Sequence, residues 1–263
     1  MIKFNNVTKI FNDEVVLKDL SFTINQGDTK IILGESGSGK STILKLILGL
    51  IRPDAGSIFI EGQDISNMRE RELVAIRRQI GMVFQEGALF DSLSVRDNVG
   101  YRLYEEGLKS EEEIDAIVAE LLGFVGLEDA IDKMPAELSG GMKRRVGIAR
   151  ALVDTPKIVL YDEPTSGLDP ITKRTIVELM IKLRDLEGVT TVFVTHDLPA
   201  AVTVASKYAY TAKDGTISLQ VGNEVSDRIN VSYIMLHEAR MCFEGNLHQL
   251  LESRKPYIRT FIE

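Results

Sequence analysis

The stretch with the clearest chemistry is a glycine- and serine-rich loop: Gly34, Glu35, Ser36, Gly37, Ser38, Gly39, Lys40, Ser41 and Thr42. It follows a run typical of a β-strand (29–33) and precedes a run typical of a helix (41–50). Glycines allow backbone N–H groups to turn toward an anion, and the helix start adds the positive end of its dipole. This pattern predicts a phosphate-binding loop in which Lys40 reaches the β- and γ-phosphates and the Ser41 hydroxyl binds Mg²⁺. The alternative is a flexible turn with a solvated lysine.

Two acids follow the apolar run 157–161, which is typical of a central strand of a parallel sheet. Ligands of open α/β sheets bind at the carboxyl ends of the strands, where Asp162 and Glu163 would lie. Asp162 can hold Mg²⁺ through water, and Glu163 can polarise a water that attacks the γ-phosphate. The alternative is a pair of surface acids in a turn.

Two further polar residues follow predicted strands. His196 follows the β-branched run 189–194 and can hydrogen-bond the γ-phosphate, although a lone histidine is usually structural. Gln85 follows the run 79–84, where its amide can reach a metal ion or a water. A surface glutamine is the alternative for Gln85.

A second glycine loop, Ser139-Gly140-Gly141, precedes a predicted helix over 142–153. Its backbone N–H groups, the Ser139 hydroxyl and the helix dipole can bind a phosphate, although a flexible joint is the alternative. The basic residues 143–145 that follow are predicted to form a solvated helix face.

The predicted elements on either side of these loops are of two kinds. Residues 2–11 and 15–25 favour an antiparallel β-hairpin with a polar turn at 12–14, and 57–60 favour another strand. Ser110 and Glu113 form a capping-box pattern before apolar residues at helical spacing, which predicts an amphipathic helix. The region from about 87 to 135 therefore reads as a helical lobe inserted in an α/β domain.

The composition restricts the classes of protein. The chain has 263 residues, is 44% hydrophobic and carries a formal net charge of −8, which argues against general binding to nucleic acid. Its single cysteine, Cys242, excludes an internal disulfide. The longest apolar run, 43–51, is far shorter than the ~20 residues that span a bilayer. We expect a cytoplasmic protein that reaches a membrane only through a partner.

Taken together and in order, the motifs resemble those of the nucleotide-binding subunits of ABC transporters. They are the phosphate loop, Gln85, Leu138 to Gly141, Asp162-Glu163, Ser166-Gly167-Leu168-Asp169 and His196. The resemblance implies an α/β P-loop NTPase with a RecA-like mixed sheet core, an N-terminal antiparallel β part and an inserted helical lobe. It implies one domain over 1–263, with a core of 1–86 and 154–205, a lobe of about 87–153, and extra hairpins and a tail over about 206–263.

The resemblance also implies roles for individual residues. Phe11 would stack on the adenine of ATP, although a buried core phenylalanine is the commoner use of such a residue. Gln85 would be the metal ligand of the Q-loop, which senses a transmembrane partner. Leu138 to Gly141 would be the signature loop, Ser166 to Asp169 the D-loop, and His196 the switch histidine. Lys40, Glu163 and His196 would be catalytic, with ATP and Mg²⁺ as cofactors.

The same resemblance implies that two copies of the chain pair head to tail. The signature loop of one subunit would close on ATP held by the phosphate loop of the other. With Glu163 present, both sites of such a homodimer should hydrolyse ATP.

After about residue 198 the pattern departs from the family, because a strand pair that is expected once occurs twice. Residues 206–222 form a loose copy and 226–245 a closer one. We interpret the first copy as an extra hairpin with its turn at 213–215.

Residues 84–99, 140–146 and 161–170 are similar to the ATPase of Mla-type phospholipid transporters, and residues 256–262 to its C-terminal segment. This implies movement of phospholipids between bacterial membranes, on the cytoplasmic face of the inner membrane. The implied partners are transmembrane permease subunits, an Mce-domain lipid-binding protein and a small regulatory subunit. We expect Leu89, Phe90 and Leu93 to line the groove where a permease helix docks, the alternative being that they pack the lobe.

Other functions are compatible with the same motifs. They are an ABC importer for a small solute such as an amino acid or metal, a soluble ABC-type ATPase acting on DNA or ribosomes, and a nucleotide-dependent scaffold. The chain has one cassette and no long heptad segment, which favours transport over the soluble class. The glutamate at 163 disfavours the scaffold.

Overall fold

The computed structural model describes residues 1–212, 214–221 and 230–263. The strands are β1 (Ile2–Phe11), β2 (Glu14–Ile24), β3 (Thr29–Leu33), β4 (Ala55–Ile60), β5 (Gln63–Asp64), β6 (Ile80–Val83), β7 (Ile158–Asp162), β8 (Thr190–Thr195), β9 (Lys207–Thr211), β10 (Ile217–Val221), β11 (Val231–His237) and β12 (Arg240–Gly245). The helices are α1 (Lys40–Ile47), α2 (Glu70–Arg77), α3 (Val95–Glu106), α4 (Glu111–Phe124), α5 (Gly140–Leu152), α6 (Pro170–Glu187), α7 (Leu198–Ser206), α8 (Leu247–Leu251) and α9 (Pro256–Ile262).

The central sheet has the strand order β12-β11-β3-β8-β7-β6, and all its neighbours are parallel except β12, which is antiparallel to β11. Leu33 pairs with Thr195, and Asp162 pairs with Val194. The ends of β3, β7 and β8 therefore meet at one edge of the sheet. That edge carries the phosphate loop, the two acids and His196, as ligand sites of open α/β sheets do.

The apolar runs of the sequence correspond to strands that are covered on both faces. Every residue of β3 and β8 is buried, and so are the first four residues of β7. Helices pack against both faces of such a parallel sheet, which explains why these strands lack the apolar–polar alternation of a half-exposed strand.

The N-terminal part forms a separate antiparallel sheet with the order β2-β1-β4-β5. The predicted hairpin is confirmed, and its turn residues Asn12 and Asp13 have φ values of 46° and 67°. Asn and Asp tolerate this left-handed region better than most residues. Apolar residues of this sheet share a core cluster with α1, so the sheet packs beside the phosphate-loop helix.

Helices α3, α4 and α5 lie between β6 and β7, within the predicted lobe. The capping box that predicted α4 is present, because the Glu113 N–H donates to Ser110 Oγ at 3.3 Å and the Ser110 N–H to Glu113 Oε2 at 2.8 Å. Buried residues of these helices belong to the same core cluster as Tyr161 and Phe193 of the central sheet. The boundaries of the lobe stay a prediction.

The extra hairpin is confirmed as the two-stranded sheet of β9 and β10, in which Lys207 pairs with Val221. Its predicted turn includes Asp214 and Gly215, whereas residue 213 lies outside the described residues. Of the second predicted copy, β11 and β12 join the edge of the central sheet, and 226–229 lie outside the described residues.

In the described part of the chain, no helix combines the length and the hydropathy needed to cross a bilayer. The longest described helix, α6, has 18 residues and contains seven charged side chains.

Candidate functional site

The phosphate loop connects β3 to α1, and its glycines are required by the backbone. Gly34 has a φ of 155° and Gly39 a φ of 96°. A Cβ on Gly34 would lie 2.6 Å from Ser38 Oγ, and one on Gly39 would lie 2.7 Å from Leu17 Cδ2. Larger residues at either position would therefore clash or strain the loop.

Lys40 begins α1 and turns its side chain back over the loop. Its Nζ donates to the carbonyls of Gly34 at 2.8 Å and Glu35 at 2.9 Å, and lies 3.4 Å from Glu163 Oε1. The side chain is buried, so its charge is held at the mouth of the loop rather than in bulk solvent. This is the position from which an ammonium group can bind a phosphate that the loop holds.

Ser41 and Asp162 meet, as the predicted metal site requires. Ser41 Oγ donates to Asp162 Oδ1 at 2.8 Å. Burial raises the pKa of the Asp162 carboxyl, and the nearby Glu163 adds to this rise while the Ser41 hydrogen bond opposes it. A divalent cation would reverse the effect by stabilising the charged carboxylate.

The donor set fits Mg²⁺ only if a nucleotide completes it. Among the residues described, no group of three or more His, Cys, Asp and Glu side chains could hold a metal ion. Magnesium prefers oxygen ligands and is commonly bound by one or two protein oxygens plus phosphates and waters. Ser41 and Asp162 supply such oxygens.

Glu163 directly follows β7 and has a φ of 48°, which is rare for a residue with a side chain. Its N–H donates to the Val194 carbonyl at 3.0 Å. Its Oε2 accepts from the His196 N–H at 3.2 Å and lies 2.9 Å from His196 Nδ1. The turn therefore aims the carboxylate between Lys40 and His196, and it brings together the three residues that were predicted to be catalytic.

Lys40 and Glu163 border a cavity of about 280 Å³, whereas His196 is not part of its lining. Its lining consists of Val16, Ser36, Gly37, Gly39, Lys40, Ser41, Thr42, Gln85 and Glu163. Sequence analysis missed Val16, which lies on β2 and has no feature that distinguishes it from other strand residues. Ser38 Oγ is buried beside the cavity without a hydrogen-bond partner in the described chain, as expected of a loop shaped for an anion.

Gln85 and Phe11 differ in how close they lie to this cavity. Gln85 lines the cavity, and its Nε2 donates to Ser166 Oγ at 3.5 Å, which links the Q-loop to the D-loop. Phe11 ends β1 with its ring 41% exposed and Lys9 Nζ 5.0 Å from the ring centroid. The ring is free of the core, but it is not part of the cavity lining, and its contact with a base stays a prediction.

The signature loop lies outside this cavity. Ser139 caps α5, with its Oγ accepting from the Met142 N–H at 3.3 Å, and Ser139 and Gly140 are exposed. Gly141 packs so closely on α6 that a Cβ there would lie 2.3 Å from Thr172 Cγ2. Within the described part of one chain, the two glycine loops therefore do not form one site.

Asp169 is the N-cap of α6. Its Oδ1 accepts from the N–H groups of Ile171 and Thr172 at 3.0 Å each. Hydrogen bonds from Thr172, first its hydroxyl and then its N–H, lower the pKa of Asp169. The residue thus has a structural role in this chain besides the D-loop role that the resemblance implies.

The prediction that residues 143–145 form a solvated helix face is wrong. Arg144 is 7% exposed and donates to the backbone carbonyls of Gln85, Pro164 and Ser166. Arg145 donates to two carbonyls at the end of α4. The overlooked signal is periodic: Arg144 lies at helical spacing from Gly141 and Ile148, which are both buried.

A groove lies beside the Q-loop, but its lining differs from the one predicted, and its role in docking stays a prediction. This groove of about 440 Å³ is lined by Phe84 and Phe90 together with three arginines, at 78, 102 and 150. Leu89 instead packs against the core, and Leu93 is not part of the lining found among the described residues. Of the three residues predicted, only Phe90 lies in the groove, because the loop turns between 89 and 93.

A family model described as ABC transporter matches residues 17–166, which is more than half of the chain. The chain belongs to the ABC transporter family. Its structure is similar to the dimeric structure of an ATP-binding cassette in a post-hydrolysis state bound to ADP and Pi. The TM-score is 0.78 at 34% sequence identity, and the match covers 94% of this chain and 99% of that one.

Relatives in this family carry different names. Protein TRIGALACTOSYLDIACYLGLYCEROL 3, chloroplastic, of Arabidopsis thaliana is 39% identical over 270 residues, or 99% of this chain and 73% of that protein. The intermembrane phospholipid transport system ATP-binding protein MlaF of Haemophilus influenzae is 40% identical over 214 residues, or 81% of both chains. The methionine import ATP-binding protein MetN 3 of Oceanobacillus iheyensis is 41% identical over 260 residues, covering 97% and 74%.

The chain is therefore an ABC transporter ATPase with the α/β P-loop fold predicted from its motifs. As an ABC transporter ATPase it binds and hydrolyses ATP. Cassettes of this family function as dimers with transmembrane permease partners.

Proposed function

We propose that this ATPase powers a transporter that moves phospholipids between bacterial membranes, at the cytoplasmic face of the inner membrane. The observation that carries the catalytic part is the convergence of Lys40, Glu163 and His196 beside the Ser41–Asp162 pair at one edge of the central sheet. These are the groups that phosphoryl transfer to water requires in one place.

Lys40 would bind the γ-phosphate. Its ammonium group already has two backbone carbonyl partners, which fix its position, and its third neighbour is the Glu163 carboxylate at 3.4 Å. A phosphate oxygen in the cavity would compete with Glu163 for the lysine. Binding of the nucleotide would thereby release the carboxylate for its own role.

Glu163 would accept the proton of the attacking water. Its backbone is fixed by the hydrogen bond to Val194 and its carboxylate by His196, so little motion is needed to reach a water above the γ-phosphate. His196 is about half exposed and would turn from Glu163 toward the same phosphate. Gln85 would orient the water or the metal from the other side of the cavity.

Ser41 and Asp162 would hold Mg²⁺, with Gln85 as the third protein ligand. The metal, when bound, supplies positive charge next to the phosphate oxygens. The protein contributes Ser41 Oγ and Asp162 Oδ1, which lie 2.8 Å apart and would both be attracted by this charge.

The groove beside the Q-loop would receive a cytoplasmic helix of the permease. Phe84 and Phe90 are 38% and 45% exposed, and they offer an aromatic surface next to Gln85. Of the three arginines of the groove, Arg78 pairs with Glu106 and Arg102 with Asp154, so Arg150 supplies the remaining positive charge. A helix with apolar anchors and an acidic flank fits this surface.

Two observations favour a lipid as the substrate. The printed names of two relatives refer to lipids, a trigalactosyldiacylglycerol and a phospholipid. Residues 84–99, which include the Q-loop and the groove residue Phe90, resemble the corresponding stretch of Mla-type ATPases. An Mce-domain protein and a small regulatory subunit would complete such a complex.

A methionine importer is the second candidate. The relative named for methionine import is 41% identical over 97% of this chain, so its similarity is as extensive as that of the lipid-related proteins. The chemistry of the ATP site would be the same in both cases, and the permease would decide the substrate.

The test is to purify the chain together with the permease encoded beside it and to identify the bound small molecules by mass spectrometry. We expect phospholipid in the complex and ATP hydrolysis that increases when the permease is present. A parallel preparation with Glu163→Gln should bind ATP and lipid but lose hydrolysis, because glutamine cannot accept the proton.

Bound methionine, another amino acid or a metal ion in place of phospholipid would contradict the lipid assignment. Hydrolysis by Glu163→Gln at the rate of the unsubstituted chain would contradict the assignment of the base, whatever the substrate.

A further inference from the structure

Arg144 joins three segments that are far apart in the sequence. Its guanidinium donates through Nε to the carbonyl of Gln85, through one terminal nitrogen to Pro164 at 3.2 Å, and through the other to Ser166. Gln85 is the Q-loop residue, Pro164 directly follows Glu163, and Ser166 begins the D-loop. One side chain on the signature helix α5 thus holds both loops through their backbones.

Because the guanidinium of Arg144 is buried, each of its donors needs a well-placed acceptor. Arg144 is 7% exposed, and burial lowers its pKa while the nearby Glu86 partly offsets this effect. Its hydrogen-bond partners are backbone carbonyls, and a buried charge is costly unless each of its donors is satisfied. The planar fork of arginine points its donors in three fixed directions, which an ammonium group cannot reproduce.

The Q-loop also lies directly on the backbone of α5. A Cβ on Gly87 would lie 2.7 Å from the Lys143 carbonyl, and one on Gly147 would lie 3.2 Å from Gly87 Cα. Arg150 donates to the carbonyls of Gly87 and Ala88 at 2.9 Å each. The loop and the helix thus pack backbone to backbone at this crossing, which couples their positions.

Further contacts connect the Q-loop and α5 to the D-loop and to α6. The Gln85 side chain contacts Ser166 Oγ, and Gly141 packs against Thr172. The Q-loop therefore contacts the start of the D-loop, and the first turn of α5 contacts α6. Arg144 is the residue that joins α5 to both loops.

We propose that Arg144 is a positioning residue for ATP hydrolysis, which fixes the signature loop of its own subunit relative to Gln85 and the segment after Glu163. The signature loop that completes the partner's site and the loops that complete its own site would then reach their working positions together. This inference rests on the roles given above to Gln85, Glu163 and Ser139.

The test compares two conservative substitutions on the same helix turn. Arg144→Lys keeps the charge but cannot bond three diverging carbonyls, and we expect kcat to fall about tenfold or more while KM for ATP stays within about twofold. Arg145→Lys is the matched control. Arg145 also donates to two carbonyls, at 3.0 Å each, but both belong to the end of α4, so we expect kcat within about twofold of the unsubstituted chain.

A second measurement follows dimer formation by size-exclusion chromatography in a Glu163→Gln background. Adding Arg144→Lys should raise the ATP concentration needed for half-dimerisation about tenfold, because the signature loop is no longer held in place. ATP binding to the monomer should stay within about twofold, since Arg144 is not part of the cavity lining. If Arg144 had only a structural role, its substitution would lower the melting temperature. It would not change dimerisation while leaving ATP binding to the monomer unchanged.

Arg144→Gln, which removes the buried charge and keeps an amide donor, is the second variant in case the lysine variant misfolds. The proposal is overturned if both Arg144 variants keep kcat within about twofold, if Arg145→Lys loses as much, or if neither Arg144 variant folds. A Glu163→Gln variant that hydrolyses ATP normally would instead overturn the proposed base, and the comparison between Arg144 and Arg145 would still decide this inference.

Discussion

At the scale of single residues, the structure shows that the carboxylate of Glu163 already contacts two other side chains. Glu163 lies between Lys40 and His196, both within 3.4 Å of its oxygens. Each of these two partners is also suited to a phosphate. Binding of a nucleotide would therefore free the Glu163 carboxylate by taking both groups as partners of its phosphate.

Asp162 is predicted to add no thermal stability near neutral pH, although metal binding requires it. Because burial raises the pKa of this carboxyl in the folded chain, the folded state binds the proton more tightly than the unfolded state does. This contribution therefore favours folding at low pH and is lost as the pH rises through the raised pKa. We expect Asp162→Asn to keep or raise the melting temperature near neutral pH, and to abolish Mg²⁺-dependent hydrolysis.

Thermal unfolding between about pH 4 and 7, with and without the substitution, measures this effect, and the pH dependence should be weaker in the variant. Ser41→Ala is the control, because it removes the same hydrogen bond but leaves the carboxylate. A clear fall in melting temperature for Asp162→Asn at neutral pH would contradict the argument.

At the scale of elements, α6 connects the catalytic edge of the molecule to the extra hairpin. Its first turns carry Asp169 and Lys173, and Lys173 Nζ lies 2.6 Å from Asp197 Oδ2, next to His196. Its last turn carries Arg184 and Asp185, which are both almost fully buried. They bond the backbone of β9, so the hairpin is attached to α6 and is not part of the central sheet.

Deletion of the hairpin, residues 207–221, is predicted to preserve hydrolysis. The two ends pair as Lys207 with Val221, so a short glycine linker can close the gap. We expect the melting temperature to fall by a few degrees, because Ala209 leaves the core and Asp185 loses the Ala209 N–H as a partner. Thermal unfolding and ATP turnover measure the two effects.

Tyr210→Ala is a suitable control for that deletion, since Tyr210 is 41% exposed on the outer face of the hairpin and should be neutral. An insoluble or inactive deletion variant would show instead that the hairpin is required by the core.

At the scale of the whole molecule, we propose that a second copy of the chain completes the ATP site. In the described residues of a single chain, the signature loop does not line the cavity, and Ser139 and Gly140 are exposed. The solved relative bound to ADP and Pi is described as dimeric. A second copy is the natural source of the missing contact to the γ-phosphate, and ATP should therefore promote dimerisation by binding between the copies.

Ser139→Arg is predicted to separate binding from turnover. A bulky cation at the exposed start of α5 should block closure of the dimer, so that hydrolysis is lost while ATP affinity stays unchanged. Equilibrium binding, turnover and size-exclusion chromatography with ATP measure the three properties. Ser139→Ala is the control, because it removes the cap of Met142 without adding bulk. Normal turnover by Ser139→Arg would contradict the proposed closure.

The sequence by itself determined the local features of this protein. The phosphate loop, the acids after β7, the capping box at Ser110 and the turn at Asn12 all follow from residues that are close together in the chain. Loop glycines, strand ends and helix caps are set by short-range sterics and hydrogen bonds, which leave a readable pattern. The resemblance then supplied the roles that spacing alone left open.

For residues whose partners are distant in the sequence, only the tertiary structure decided which groups they contact. Arg144 was predicted to be solvated, but its hydrogen bond to Gln85 spans 59 residues and places it in the interior. Val16 borders the cavity because β2 packs beside α1, and Phe90 lies in the groove while Leu89 turns inward. Helical spacing indicates that Arg144 lies on the buried face of α5, but it does not indicate which distant groups pack there.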